Sequence, residues 1–461
     1  MITENHPVGV PHVTEASADL VTRLESVPFS KWHLRARVIV GSATFFDAFD
    51  ALSLAFVLPV LVRQWNISSA QIGWLIAIGY LGQFAGALVF GALAERLGRI
   101  HSIAWATALM SVMSLACAAT GSFSSLLALR LVQGIGVGGE MPVAAVYISE
   151  LSKALGRGRF FLLYEMIFPV GLMATGQIGA VLVPTLGWQI MFLIGGIPGL
   201  LITALLLRLP ESPRWLIGHG RLVEAEAIIR EIEASTDRRM PSPTSDPDRP
   251  ATFSGPQSSR WGELLSPIYR GRTVIVWTLW ASAYFITNGL NNWMPTLYNR
   301  VYHLSLTQSL RAGTLTNVAQ VIVLLACALV IDRIGRQRWT IACFGAGVVV
   351  LATLGLFAAH SAAGVIALVT LGYGLIGSVN AVLYLYTPEI YPTRMRALGT
   401  GAATCWLRLA SAAGPLLVGY LVDAKGASSV FLMFAAAGVI GALAATRMLE
   451  TRNRRLEDIA P

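Results

Sequence analysis

Glu95-Arg96-Leu97-Gly98-Arg99 and Asp332-Arg333-Ile334-Gly335-Arg336 are one motif written twice, 237 positions apart. The same offset carries Arg157 and Arg159 onto Arg394 and Arg396, and an offset of 239 carries Glu150 onto Glu389 and Glu211 onto Glu450. Each matched group lies at the end of an apolar run. A duplicated set of membrane helices is the architecture of an alternating-access carrier, whose ligand sits near the midplane between the repeats.

The surrounding composition supports a membrane setting. The 461 residues are 55% hydrophobic and 13% charged, about half the charge of a soluble domain, for which roughly 25% is typical. A hydrocarbon core of about 30 Å takes roughly 20 residues of helix, and twelve runs are long enough: 38–62, 70–94, 102–121, 125–148, 160–184, 189–208, 273–296, 312–331, 340–359, 365–387, 398–421 and 428–448. They are too long and continuous for barrel strands. The expected fold is therefore an all-α membrane protein of twelve transmembrane helices in two six-helix halves.

A net charge of +9 and a pI near 9.6 would suit nucleic acid in a soluble chain. Here the Lys and Arg residues lie between apolar blocks, so the basic surplus reads as topology and the bilayer is the partner. With the N-terminus inside, the outer loops hold only Arg63, Arg300, Arg311 and Lys425, which places both termini in the cytoplasm. The first 28 residues are polar and carry Glu4, Glu15, Asp19 and Glu25, unlike a secretory signal. The expected divisions are a tail over 1–37, a six-helix half over 38–208, a cytoplasmic linker over 209–272, a second half over 273–448 and a tail over 449–461. Within the linker, Arg221 to Ala234 has helical periodicity with Leu222, Ala225, Ile228, Ile229 and Ile232 on one stripe. Asp237 to Arg260 is rich in Pro, Ser and Asp and reads as disordered.

Metal, redox and enzyme chemistry find little support. Cys117, Cys327, Cys343 and Cys405 sit in apolar stretches without CxxC spacing. The seven histidines (His6, His12, His33, His101, His219, His303 and His360) all fall in tails or loops. No cofactor, metal site or histidine proton relay is expected, and no nucleophile with its base lies within a span.

Over essentially its whole length the chain resembles the major facilitator superfamily. Gly91-x-x-x-Glu95-Arg96-x-Gly98-Arg99 is similar to the loop signature after the second helix, with Glu95 where the family usually has Asp. Arg130-x-x-x-Gly134-x-Gly136-x-Gly138, Pro210-Glu211-Ser212-Pro213-Arg214-Trp215-Leu216 and Pro388-Glu389-Ile390-Tyr391-Pro392 resemble the sugar-porter branch. Glu450-Thr451 is a weaker echo of its C-terminal signature. Three further features look like the bacterial niacin and aromatic-acid proton symporters, relatives of the synaptic-vesicle glycoprotein transporters: Phe46-Asp47-Ala48-Phe49-Asp50, then Gly139-Glu140-Met141-Pro142 with Glu165 beyond it, then Arg408. The paired glutamines of sugar porters are replaced by Phe285 and Ile286, and their usual tryptophan by Tyr384. The resemblance implies a monomer, with Glu95, Arg99, Glu150, Arg157, Asp332, Arg336, Glu389 and Arg394 as gating charges. The same charges would also serve simply to fix topology.

Away from the helix ends, the ionisable residues inside the spans are Asp47, Asp50, Arg130, Glu140, Glu165 and Arg408. A charge at mid-membrane costs about 2.5 to 3.5 kcal/mol on insertion scales and marks a functional site by default. Asp47 and Asp50 are three positions apart, which puts both carboxylates on one helix face at about 5 to 6 Å. So close, they resist joint ionisation, and the pair can carry a proton. Arg130 is the expected counter-ion, and the resemblance makes Asp50 the better match to the family's coupling aspartate. A static salt bridge between the first and fourth spans is the alternative.

Arg408 lies about eleven residues into its span, roughly 16 Å at 1.5 Å per residue. Its planar guanidinium suits a carboxylate, either that of a substrate or that of Glu140 or Glu165. Trp280, Tyr284, Asn288 and Asn291 recur at helical spacing in the seventh span, as do Tyr373, Asn380 and Tyr384 in the tenth. Flat walls with amides suit a planar polar ring, and ordinary interhelical packing would use the same residues. Asn292 and Trp293 fall off the line. The reading is a proton-coupled symporter of a small aromatic or heteroaromatic carboxylate such as nicotinate, in the plasma (inner) membrane if bacterial. The alternatives are a sugar or polyol symporter and an organic-cation or drug carrier.

Overall fold

The computed structural model describes residues 15–28, 30–151, 166–236, 261–357, 361–392 and 395–452. Of the residues singled out above, Glu4, His6, His12, Arg157, Arg159, Glu165, His360, Arg394 and the stretch Asp237 to Arg260 lie outside the described residues.

The described chain is helical, without strands. A short α1 (Glu15–Ser26) precedes six long helices: α2 (Lys31–Trp65), α3 (Ser69–Leu97), α4 (Arg99–Ala118), α5 (Phe123–Glu150), α6 (Ile167–Leu186) and α7 (Gln189–Leu206). Two short helices follow, α8 (Pro213–Gly218) and α9 (Leu222–Ala234). After a 3-10 turn at Trp261–Leu265 come α10 (Arg270–Arg300), α11 (Leu306–Ile334), α12 (Arg336–Phe357), α13 (Ala362–Glu389) and α14 (Arg396–Thr446). Ten of these helices are long and apolar enough to cross a membrane.

Two departures from the expected twelve have local causes. The 51 residues of α14 join two apolar runs across Gly426, whose φ of 76° and ψ of 175° break the helix. The 31 residues of α10 are too rich in Asn, Trp, Tyr and Arg to rank as apolar. The first apolar helix also starts earlier than its hydropathy suggests, at Lys31, because Ser30 and His33 form a reciprocal cap there. The N-terminal segment is not featureless, since α1 lies against α9. Arg23 Nε and Nη2 donate to Glu233 at 3.0 and 2.8 Å, and Trp32 Nε1 donates to Glu231 at 3.2 Å. Leu20, Leu24 and Val27 share a core with Ala225, Ile229 and Ile232, the expected stripe of α9.

The first six long helices meet the later ones through α3 on α14, α6 on α11 and α2 on α10. Glycine sets the tightest approach: a Cβ at Gly134 or Gly138 would strike the carbonyl oxygen of Gly79 or Gln83 on α3. With no hydrophobic drive between helices in lipid, such small-residue contacts supply van der Waals packing.

Candidate transport site

At the centre, α2, α3, α5, α6, α10, α11, α13 and α14 leave a cavity with about 120 Å³ for the centres of water-sized spheres. One water needs roughly 10–15 Å³ on that measure, so a single-ring solute has room. Of the residues singled out from the sequence, Asp47, Tyr284, Asn288, Asn291, Asn380, Tyr384 and Arg408 line it. Trp280 does not. It is buried behind the wall, donating to Thr387 Oγ1 at 2.9 Å, stacked on Tyr284 at 5.5 Å and set edge-on to Tyr384 at 4.6 Å. Glu140 also lies off the lining, buried with Thr44 Oγ1 donating to it at 3.1 Å.

Asn292, set aside above because it falls off the helical stripe, lines the cavity and donates to Tyr80 Oη at 3.1 Å. Tyr80, Gln83 and Gln320 complete the polar wall without having been singled out from the sequence. Their signal was available, since each is a polar residue inside an apolar run.

Arg408 is 6% exposed and has no carboxylate within ion-pair distance among the described residues, so it is not paired with Glu140. Instead its Nε donates to the Gln83 carbonyl and its Nη2 to the Gly138 carbonyl, each at 3.0 Å.

The two aspartates separate. Asp47 faces the cavity and its Oδ1 has no hydrogen-bond partner among the described residues. Asp50 points away, accepting from Ser114 Oγ at 2.9 Å and from Gln133 Nε2 at 2.6 Å. Arg130 does not contact Asp50 directly. It donates from Nη1 to Gln133 Oε1 at 2.7 Å, so Gln133 stands between the two charges. Three residues on a helix turn through 300°, leaving 60° between side chains, enough to direct them to different neighbours.

The motif charges form two matching clasps. Arg99 Nη1 meets Glu95 at 2.8 Å and Nη2 meets Glu150 at 3.3 Å. Glu211 accepts from the Arg99 backbone N–H at 2.8 Å, and Ser212 Oγ donates to Glu150. In the second copy, Arg336 meets Asp332 at 2.8 Å and Glu389 at 3.3 Å. There Glu450 accepts from the Arg336 N–H at 3.0 Å, and Thr451 Oγ1 donates to Glu389 at 2.6 Å. The hinge glycines match as well, Gly98 at φ 104° and Gly335 at φ 99°, a left-handed corner that glycine adopts without strain. Burial holds the Glu150 carboxyl above the usual glutamate range, with Arg99 opposing the shift. Both clasps lie within their own set of helices.

Several hydrogen bonds between the two sets lie on the side away from Arg99. Arg63 donates to Asn299 at 3.1 Å, Ser69 to Asp423 at 2.7 Å, Arg300 to Ser69 at 2.9 Å and Trp74 to Tyr420 at 3.0 Å.

A helical bundle whose two sets of long helices enclose a largely apolar cavity set with charged and amide side chains defines an integral, multi-pass membrane transporter. Residues 28–461 match the model of the Sugar (and other) transporter family, and the chain belongs to that family. It is a transporter and not an enzyme. The niacin transporter NiaP of Acinetobacter baylyi is 32% identical over 445 residues, covering 96% of this chain and 99% of that one. The synaptic vesicle 2-related protein of Bos taurus is 24% identical over 461 residues, covering 94% of this chain and 81% of that one. Among solved structures, a partially occluded inward-open form of the Escherichia coli xylose transporter XylE shares the fold, with a TM-score of 0.69 and 21% identity over 92% of this chain and all of that one.

Proposed function

We propose that this transporter imports a small aromatic or heteroaromatic carboxylate, nicotinate being the leading candidate, together with a proton. The observation that carries the reading is Arg408: a guanidinium in a membrane cavity, without a carboxylate partner among the described residues, beside the tyrosines and amides of α10 and α13. The likeness to a niacin transporter supports the same ligand. Arg408 takes the carboxylate, Tyr284 and Tyr384 flank the ring, and Asn288, Asn291 and Asn380 supply hydrogen bonds. Of the pair expected to carry the proton, Asp50 takes it and Asp47 faces the solute, and the proton's charge offsets that of the anion during transit.

In this reading α10 and both arms of α14 span the bilayer, giving twelve crossings with both termini cytoplasmic. The linker of residues 209–272 joins the two halves, and the Arg99 and Arg336 clasps are cytoplasmic gates. The bonds from Arg63, Ser69 and Trp74 then close the outer side. Purified protein in liposomes should take up nicotinate faster under an inward proton gradient; uptake indifferent to the gradient rejects the coupling.

A neutral polyol is the second reading, favoured by the amide-rich lining of Gln83, Asn288, Asn291, Asn292 and Gln320. A thermal-shift panel of acids, sugars and amines separates the readings, since a ligand stabilises once it exceeds its dissociation constant.

A further inference from the structure

Helix α5 carries Pro142 in its interior. Proline has no N–H, so the carbonyl four residues earlier, that of Gly138, loses its helical partner. Within hydrocarbon such a carbonyl must find another donor. The donor is Arg408 Nη2, at 3.0 Å. Because a side chain at position 138 would collide with the Gln83 carbonyl, glycine lets the carbonyls of Gln83 and Gly138 converge on one guanidinium. The cradle comes from α3 and α5 and the charge from α14, so the contact ties the two sets of helices together at the cavity wall.

We propose that Pro142 is a positioning residue: by stripping the Gly138 carbonyl of its own N–H, it parks Arg408 on the opposite set until a ligand carboxylate takes the guanidinium. The proposal rests on the reading of Arg408 as the carboxylate site. A carboxylate brings opposite charge and can engage a guanidinium through two parallel hydrogen bonds, whereas a carbonyl offers a single neutral acceptor, so a carboxylate displaces the cradle and an amide does not. The displacement both selects anions and unties the sets, and a ligand shifts a conformational equilibrium only through such differential contacts.

The test compares nicotinate and nicotinamide binding to the purified full chain and its variants. Pro142→Ala returns an N–H to Gly138, loosens the hold on Arg408 and should tighten nicotinate binding about tenfold with nicotinamide unchanged. Unchanged or weaker nicotinate affinity in a Pro142→Ala protein with wild-type thermal stability overturns the positioning role while leaving Arg408 as the carboxylate site. Equal loss of acid and amide in Arg408→Gln overturns the underlying reading as well. Should Pro142→Ala not fold, spin labels at Leu97→Cys and Ile334→Cys decide the matter in a chain that keeps Pro142 and has the partly exposed Cys405 replaced by serine. Saturating nicotinate should change their distance distribution and nicotinamide should not; a distribution indifferent to nicotinate overturns the release step.

Discussion

Asp47 opens onto the central cavity, whereas Asp50, one turn further along α2, is sealed against Gln133 and Ser114. On the proposed function, two carboxylates so placed would divide the labour, Asp47 facing the solute and Asp50 answering to the Arg130 network. Asp50→Asn should abolish the response of uptake to a proton gradient while solute exchange persists. Asp47→Asn should chiefly weaken substrate affinity. Identical phenotypes in gradient-driven uptake and counterflow would reject the division.

Gln133 holds Asp50 and Arg130 at one remove, donating to the first and accepting from the second. Gln133→Leu keeps the bulk and strands both charges, and an unmet buried polar group costs about 1–3 kcal/mol, more when charged. Proton-driven uptake should fall at least about tenfold. Wild-type rates would mean that the amide is dispensable.

Arg408→Ala should remove binding of carboxylates far more than of the matching amides, and Arg408→Lys should restore it only partly, because an ammonium lacks the planar fork. Calorimetric titration with acid and amide pairs reads the difference directly. Parallel losses would assign the arginine to architecture.

Glu211 and Glu450 each accept backbone N–H bonds at a helix start, α4 and α12 respectively. Replacing either with alanine should cost about 1–2 kcal/mol, combining the lost cap with the lost favourable charge at a helix N-terminus. The clasps share no partners, so the double variant should show the sum of the two losses in melting temperature. A loss much larger than the sum would reveal coupling between the copies.

Glu150 lies past the apolar part of α5, and burial keeps its pKa above the ordinary glutamate value. The folded chain then retains this proton where the unfolded chain has released it, so the contribution to stability grows as pH falls through the raised value and is smallest above it. The melting temperature of the wild type relative to Glu150→Gln should therefore rise on acidification from neutral pH toward the usual glutamate range. A gap that narrows over that window contradicts the assignment.

Much of the fold was readable in the chain because lipid leaves few choices: apolar runs must be helices, and the offset of Glu95, Glu150 and Glu211 from Asp332, Glu389 and Glu450 announces a repeat. The cavity was only partly readable. A stripe drawn too narrowly discarded Asn292, although it follows Asn288 by four residues and lies on the same broad face of α10 that borders the cavity. Gln133 was hidden for another reason: beside Arg130 it reads as filler, and only packing brings Asp50 to its other end. The seat of Arg408 on two carbonyls could not be read from side-chain types at all, since backbone acceptors leave no trace in composition.

The clasp of α1 on α9 makes the leading residues part of the scaffold. A chain trimmed to begin at Lys31 would bare the greasy seat of Leu20, Leu24 and Val27 and orphan Glu233. Truncations that remove α1 therefore cut into the body of the carrier, and a shortened version should clump in detergent long before its transport chemistry is at fault.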